Sequence, residues 1–288
     1  MQRVVMTTQV FDGAAMAREV FDELRPRVAE LARRGIRPGL ATVVVGDNAA
    51  SKVYVRNKLR ACGEVGLHGE VHGLAADATE SEVLEHVQTL NRRGDIHGII
   101  VQLPLPRAVD PQRVLQSIAI EKDVDGFNWC NLGALVDGEA RLAPCTPLAV
   151  MRMLDRAGVK IEGAHAVVIG RSSIVGKPLA LLLIARGATV TVCNSKTPEL
   201  AAFTRSADIL IAAAGRARLV AGDMVKDGAI VIDVGINRLP DGKLAGDVDY
   251  EAVLPKAAAI SPVPGGVGRM TVAMLIANTV TAAERLHP

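Results

Sequence analysis

Apolar residues recur at helical spacing through residues 14–34, at Ala17, Val20, Phe21, Leu24, Val28 and Leu31, and Gly35 ends the run. The period then changes. LATVVVGD (40–47) is a short β-branched stretch bounded by turn residues, which predicts a buried strand. A helix from about Ala49 to Val65, a strand at VHGL (71–74), a helix over 79–93 and a strand at IHGIIVQLPLP (96–106) follow. The pattern loosens between about 107 and 147 and then resumes more regularly. HAVVIG (165–170) predicts a strand, KPLALLLIARG (177–187) a helix closed by Gly187, and ATVTVC (188–193), ADILIAAAG (207–215) and AIVIDVGI (229–236) three more strands. MTVAMLIANTVTAAERL (270–286) is a helix too apolar for an ordinary surface position, so it is expected to pack across domains or in a subunit interface.

Strands alternating with helices predict an α/β protein with parallel sheets. Its 288 residues suit one large or two modest domains. With the junction placed at PCTP (144–147), the expectation is one α/β domain over 1–147 and a second over 148–269, flanking a cleft, with 270–288 packing back on the first. Hydrophobic residues make up 49% of the chain, ample for a core. The longest apolar runs, such as LALLLIA (179–185), fall well short of the roughly 20 residues that span a bilayer. The opening MQRVVMTTQVFDG lacks the apolar segment of a secretory signal, so a cytoplasmic protein with no membrane partner is expected.

The net charge of +2 is spread over interleaved signs, without the basic stripe of a nucleic-acid binder, and an aromatic content of 2% leaves few rings to stack on bases. Cys62, Cys130, Cys145 and Cys193 are scattered without zinc-ligand spacing, so no metal is expected and the thiols are read as reduced.

Chemistry gathers at two places. The turn GRSSIVGKP (170–178) joins a buried strand to a helix, where backbone N–H groups and the helix dipole favour an anion. Gly170 and Gly176 permit close approach, Pro178 suits a first helical turn, and the spacing departs from GxGxxG, so a plain tight turn is the competing reading. About 20 residues on, an NAD site usually carries an acid for the ribose 2′-hydroxyl. Here that position falls in CNSK (193–196), which has none, whereas Arg171, Ser195 and Lys196 would suit a 2′-phosphate. NADP is therefore preferred, which makes 148–269 a Rossmann-type NADP-binding domain; Arg171 as a solvated turn residue is the alternative.

The second place is SKVYVRNKLR (51–60), where Tyr54 and Lys58 share one helix face. An exposed lysine covering a half-buried ring is the plainer account. Against it, the helix follows the end of LATVVVGD, where open α/β sheets place ligands. Gln102 also stands as a lone amide among apolar neighbours and needs a partner that Lys58 could be. The YxxxK of short-chain dehydrogenases does not apply, since there it follows the Rossmann turn within the same domain.

VGDNAASKVYVRNK (45–58), GIIVQLPLP (98–106), KDVDGFN (122–128), PCTP (144–147), VVIGRSSIVGKP (167–178), VIDVGIN (231–237) and SPVPGGVGRMTVAML (261–275) together resemble the bifunctional methylenetetrahydrofolate dehydrogenase/methenyltetrahydrofolate cyclohydrolase (FolD) family, in family order. The resemblance implies NADP-dependent oxidation of 5,10-methylenetetrahydrofolate, then hydrolysis to 10-formyltetrahydrofolate, by a homodimer joined through its cofactor domains. It implies that Lys58 is the central catalytic residue, that Tyr54 lines the folate and orients the lysine, that Gln102 supports it, and that Asp125 holds the pterin. Ser51 lies on the same helix near the site. Gly170, Arg171, Ser172, Ser195 and Ile236 match cofactor positions, and Gly265 and Gly266 a loop closing over the folate.

These roles make chemical sense. Loss of hydride from the methylene carbon leaves an amidinium-like cation, which a charged lysine would repel. A neutral Lys58 could serve as base toward the attacking water. Asp125 can accept from the 2-amino and N3–H edge of a pterin; its plain alternative is a loop-capping aspartate. The chain departs from the family pattern at Asn128, where histidine is frequent, at Asn194, at GRAR (215–218) and at Arg269 in GVGRMT. A monofunctional dehydrogenase and a non-catalytic NADP- or folate-binding protein remain alternatives.

Overall fold

The computed structural model describes residues 8–47 and 49–288, giving the backbone course alone for 49–53. In chain order the elements are β1 (Gln9–Val10), α1 (Gly13–Arg33), β2 (Gly39–Val45), α2 (Ala49–Val65), β3 (His68–Leu74), α3 (Glu80–Arg92), β4 (Gly98–Val101), α4 (Pro111–Ser117), α5 (Trp129–Ala134) and α6 (Cys145–Arg156). Then come β5 (His165–Ile169), α7 (Gly176–Ala185), β6 (Thr189–Cys193), α8 (Leu200–Thr204), β7 (Ile209–Ala212), β8 (Ile230–Asp233), β9 (Asn237–Arg238), β10 (Leu244–Ala245), α9 (Tyr250–Val253), β11 (Ala259–Ile260) and α10 (Val267–Leu286).

Local chemistry sets many of the boundaries. The stripe Ala17, Val20, Phe21, Leu24, Val28, Leu31 is buried along α1. Gly35 closes that helix at φ +77°, while the N–H groups of Gly35 and Ile36 return to the carbonyls of Ala32 and Leu31. Thr79 and Glu82 form a capping box that starts α3. Asp110 caps α4, with Pro111 in its first turn.

The chain forms two units. One comprises Arg18–Cys145 with Val272–Pro288 and is built on a three-stranded parallel sheet in the order β3-β2-β4. Ala41, Val43 and Ile99 of that sheet pack with Val83, Val87 and Leu90 of α3. The other comprises the described residues up to Ala17 with Thr146–Thr271, around a six-stranded sheet in the order β1-β11-β8-β7-β5-β6. Its strands all run parallel, with Val167, Leu210, Val231 and Ile260 in its core. Among the described residues, no helix is long and apolar enough to cross a membrane.

Several elements differ from the sequence expectation. The strand read over 96–106 is confined to Gly98–Val101, because Pro104 and Pro106 cannot donate to a ladder. VHGL extends backward to His68, whose polar neighbours are tolerated on an edge strand with one open face. The loose region 107–147 holds α4, α5 and the start of α6. The first described strand, β1, pairs with β11 near the other end of the chain; two-residue strands carry no period to read.

Candidate active site

In the unit built on β3-β2-β4, the C-terminal ends of β2 and β4 lie side by side, and the residues beyond them carry the polar groups. Gly46, at φ +81°, turns the chain out of β2 toward α2. Lys58 on that helix donates from Nζ to Gln102 Oε1 at 3.2 Å. Gln102 sits one residue past β4: its N–H bonds the Val43 carbonyl at 2.8 Å and its Nε2 donates to the Leu103 carbonyl at 2.9 Å. The backbone and both ends of the amide are therefore engaged. Tyr54 stands one turn before Lys58 with 43% of its surface exposed. Ser51 falls where the side chains of α2 lie outside the described residues.

Asp125 comes to the same place on the segment 122–128. Two buried residues pin that segment from its start. Lys122 Nζ donates to the carbonyls of Asn91 (2.9 Å) and Arg93 (2.6 Å) at the end of α3. Asp123 accepts from the N–H groups of Phe127 (3.1 Å) and Asn128 (2.7 Å) and from Asn131 Nδ2 (2.9 Å). Gly126, at φ +71°, passes so close to Ala143 and Pro144 that a Cβ would lie 2.5 Å from the Ala143 carbonyl carbon. Burial pushes the Asp125 carboxyl above the usual carboxylate range, while the charge of Lys58 and a hydrogen bond from Cys145 pull it back. Lys58, Gln102 and Asp125 are thus one interacting group.

Two neighbours of Asp125 escaped the sequence reading as site residues. Cys145 donates from Sγ to the Val124 carbonyl at 3.2 Å; burial, then the charge of Asp125, raise its thiol well above the ordinary range, so it stays protonated and a donor. Asn278, buried on α10, donates to the carbonyls of Val124 (2.8 Å) and Ala143 (3.0 Å). The peptide ahead of Asp125 is therefore held from two sides. The signal for Asn278 was a lone amide in the apolar run MTVAMLIANTV. Asn128, in place of the frequent histidine, caps α5 through its Oδ1.

In the six-stranded unit, β5 lies between β6 and β7, so the direction of winding reverses between β5 and β7. Open α/β sheets bind ligands at such a point. Gly170 turns out of β5 at φ +118°, and a Cβ there would lie 2.1 Å from the Ala213 carbonyl oxygen; one on Gly176 would lie 2.0 Å from the Gly170 oxygen. Only glycine fits either position, and α7 begins directly against the strand end. Ser172 Oγ accepts from the Val175 and Gly176 N–H groups at 3.1 and 3.4 Å, shaping the turn. Arg171, Ser195 and Lys196 are exposed, Asn194 Oδ1 accepts from the Lys196 N–H at 3.0 Å, and residues 193–196 contain no acid. That cradle and its cationic rim fit a phosphorylated dinucleotide. Ile236, just past β8, is 48% exposed. Gly265, at φ +117°, and Gly266 lie between β11 and α10, where the Gly265 carbonyl receives the Gly13 N–H at 3.0 Å. They belong to the six-stranded unit rather than to the unit of Lys58. Among the described residues, no cluster of His, Cys, Asp and Glu could hold a metal ion.

The model for the tetrahydrofolate dehydrogenase/cyclohydrolase catalytic domain matches residues 11–125, and that for the NAD(P)-binding domain of the same family matches residues 144–287. The chain is 58% identical over 282 residues to the bifunctional protein FolD of Nitrosospira multiformis, covering 98% of each. It is also similar to the crystal structure of the bifunctional FolD enzyme from Campylobacter jejuni, with 48% identity, a TM-score of 0.95, and coverage of 96% of this chain and 99% of that one. The FolD of Trypanosoma brucei, solved with NADP and an inhibitor, matches at 42% identity and a TM-score of 0.92, over 96% of this chain and 98% of that one. The chain belongs to the tetrahydrofolate dehydrogenase/cyclohydrolase family.

Proposed function

We infer that the chain oxidises 5,10-methylenetetrahydrofolate to 5,10-methenyltetrahydrofolate with NADP and then hydrolyses it to 10-formyltetrahydrofolate. The observation that carries the shared chemistry is the hydrogen bond from Lys58 to Gln102, with Asp125 coupled to the same amine.

Asp125 accepts the 2-amino and N3–H edge of the pterin, an arrangement that fixes the ring in its plane. Tyr54 lines the folate with its exposed ring, and Ser51 flanks it from the first turn of α2. Bound NADP supplies the acceptor for the hydride that leaves the methylene carbon. Gly170, Arg171, Ser172, Ser195 and Ile236 hold that cofactor, with Arg171 and Ser195 on its 2′-phosphate. In the second reaction the Lys58 amine takes a proton from water as the water oxygen bonds to the methenyl carbon. The carbon–N5 bond then breaks, N5 takes up a proton, and one proton is released overall. Gln102 holds the amine in place through an acceptor that carries no charge of its own.

The folate-binding and catalytic domain is Arg18–Cys145 together with Val272–Pro288, and the cofactor domain is Thr146–Thr271 together with the described residues up to Ala17, which the sequence alone assigns to the first domain, 1–147. Free thiols at Cys62, Cys130, Cys145 and Cys193 suit the cytoplasm. Ile184 on α7, Val192 on edge strand β6 and Phe203 on α8, exposed by 55%, 40% and 38%, support a homodimer joined through cofactor domains.

The test is direct. Protein, NADP and 5,10-methylenetetrahydrofolate are mixed and the absorbance of NADPH and methenyltetrahydrofolate is followed while formyltetrahydrofolate is measured. NADPH with rapid 10-formyl product is expected. Methenyl product that hydrolyses only spontaneously would reduce the function to the dehydrogenase, and no turnover would leave a binding protein.

A further inference from the structure

The polar residues of the six-stranded unit include two buried aspartates outside the cradle described above. Asp247 lies between β10 and α9 and has no exposed surface. Its Oδ2 accepts from the N–H groups of Ala214 (2.6 Å) and Gly215 (2.9 Å), and its Oδ1 from the N–H of Arg216 (2.8 Å) and Nδ2 of Asn237 (2.9 Å). One carboxylate thus gathers the turn that follows β7 and the first residue of β9, just past β8. Asp233, at the end of β8, in turn accepts from the Asp247 N–H (2.9 Å) and Val248 N–H (2.9 Å). The fit leaves no slack. A Cβ on Gly235 would lie 2.2 Å from Asp247 Oδ1, and one on Gly246 would lie 1.8 Å from Asp233 Oδ2.

The position of this hub in the sheet gives it meaning. Gly170 abuts Ala213, the residue before the turn that Asp247 holds. The phosphate turn stands at β5, and Arg171 and Ser195 place the 2′-phosphorylated ribose on the β6 side. A dinucleotide extends through its pyrophosphate, so its nicotinamide half lies over the ends of β7 and β8 on the opposite side of β5. Those are the ends that Asp247 ties together.

We propose that Asp247 is a positioning residue for the nicotinamide half of the NADP site, fixing Ala214–Arg216 and Val234–Asn237 in the shape the cofactor needs. The proposal rests on the reading of Arg171 and Ser195 given above. Asparagine at 247 keeps the volume but turns an amide NH2 either toward the Ala214 and Gly215 N–H groups or toward the Arg216 N–H and the Asn237 amide, so the hub loses at least one backbone bond and sets two donors face to face.

The experiment compares Asp247→Asn with the unaltered full chain. NADP binding is measured by calorimetry in the absence of folate, together with KM for NADP, cyclohydrolase rates on methenyltetrahydrofolate and the thermal midpoint. Asp247→Asn is expected to weaken NADP binding and raise KM for NADP by about tenfold or more. Its cyclohydrolase turnover stays near that of the unaltered chain. Unchanged NADP affinity, or a parallel loss of both activities that follows the thermal midpoint, would overturn the proposal. If Asp247→Asn does not fold, Asn237→Ala removes one of the four bonds and decides: NADP binding weakened about threefold or more supports the hub, and no change refutes it. Arg171→Ala serves as the control. Should it too leave NADP binding unchanged, the placement of the 2′-phosphate fails, which is a different failure from that of the hub.

Discussion

Lys58 Nζ donates to Gln102 Oε1 over 3.2 Å, and the nitrogen of the same amide donates to the Leu103 carbonyl at 2.9 Å. The second bond decides the first, because it fixes which end of the amide faces the lysine. A carbonyl oxygen accepts from an ammonium and, less strongly, from a neutral amine, so Gln102 keeps its bond to Lys58 whichever form the amine takes.

Gln102→Glu would replace that neutral acceptor by a carboxylate and hold the lysine charged. Cyclohydrolase kcat is expected to fall about a hundredfold, while KM for methenyltetrahydrofolate changes little. Steady-state rates at saturating substrate check this. An undiminished kcat would show that the neutral partner is unimportant.

Arg171→Ala removes a cation from the rim of the glycine turn. KM for NADP is expected to rise about tenfold or more, with KM for NAD nearly unchanged, because only NADP carries the 2′-phosphate. Initial rates with each nucleotide measure the ratio. Equal losses with both would place Arg171 on the shared pyrophosphate instead.

A third expectation concerns stability. His97 is buried, its Nδ1 accepts from the Gly39 N–H at 3.0 Å, and its Nε2 meets His287 Nε2 at 3.1 Å. Burial, then the nearby His287 and Lys122, lower its value from 6.5 to about 4, against a smaller opposing pull from Asp95. Between those values the unfolded chain binds more protons than the folded one. The contribution of His97 is therefore complete above about pH 6.5 and lost as the pH falls toward 4, on the order of 3 kcal/mol in all. Urea unfolding across that range should show the loss, and His97→Asn should flatten it. Equal slopes in both proteins would contradict the assignment.

Much of this was legible in the sequence, for reasons that can be named. The strands with long apolar runs, β2, β5, β7 and β8, are buried on both faces and announce themselves by composition. Gln102 was visible because a polar residue amid apolar neighbours must find a partner, and Lys58 because it shares a helix face with Tyr54 just past the end of a strand. Asp247 was not, although it is polar and buried; Asn278 carried the same lone-amide signal as Gln102 and was passed over, and only its partners stayed hidden. Their partners are backbone groups, at Ala214 to Arg216 and at Val124 and Ala143, and a peptide N–H or carbonyl leaves no mark in a sequence. The strand β1 was invisible for another reason: its partner β11 lies roughly 250 residues away, and neither is long enough to show a period.

The account turns on the amine of Lys58, and the most direct measurement is the hydrolysis of methenyltetrahydrofolate by Lys58→Met. That side chain keeps most of the length and apolar bulk of lysine but neither donates nor accepts a proton. The predicted result is near-complete loss of cyclohydrolase turnover, at least about a thousandfold, in a protein that still binds NADP with its original affinity. Hydrolysis at the rate of the unaltered chain would contradict the central claim.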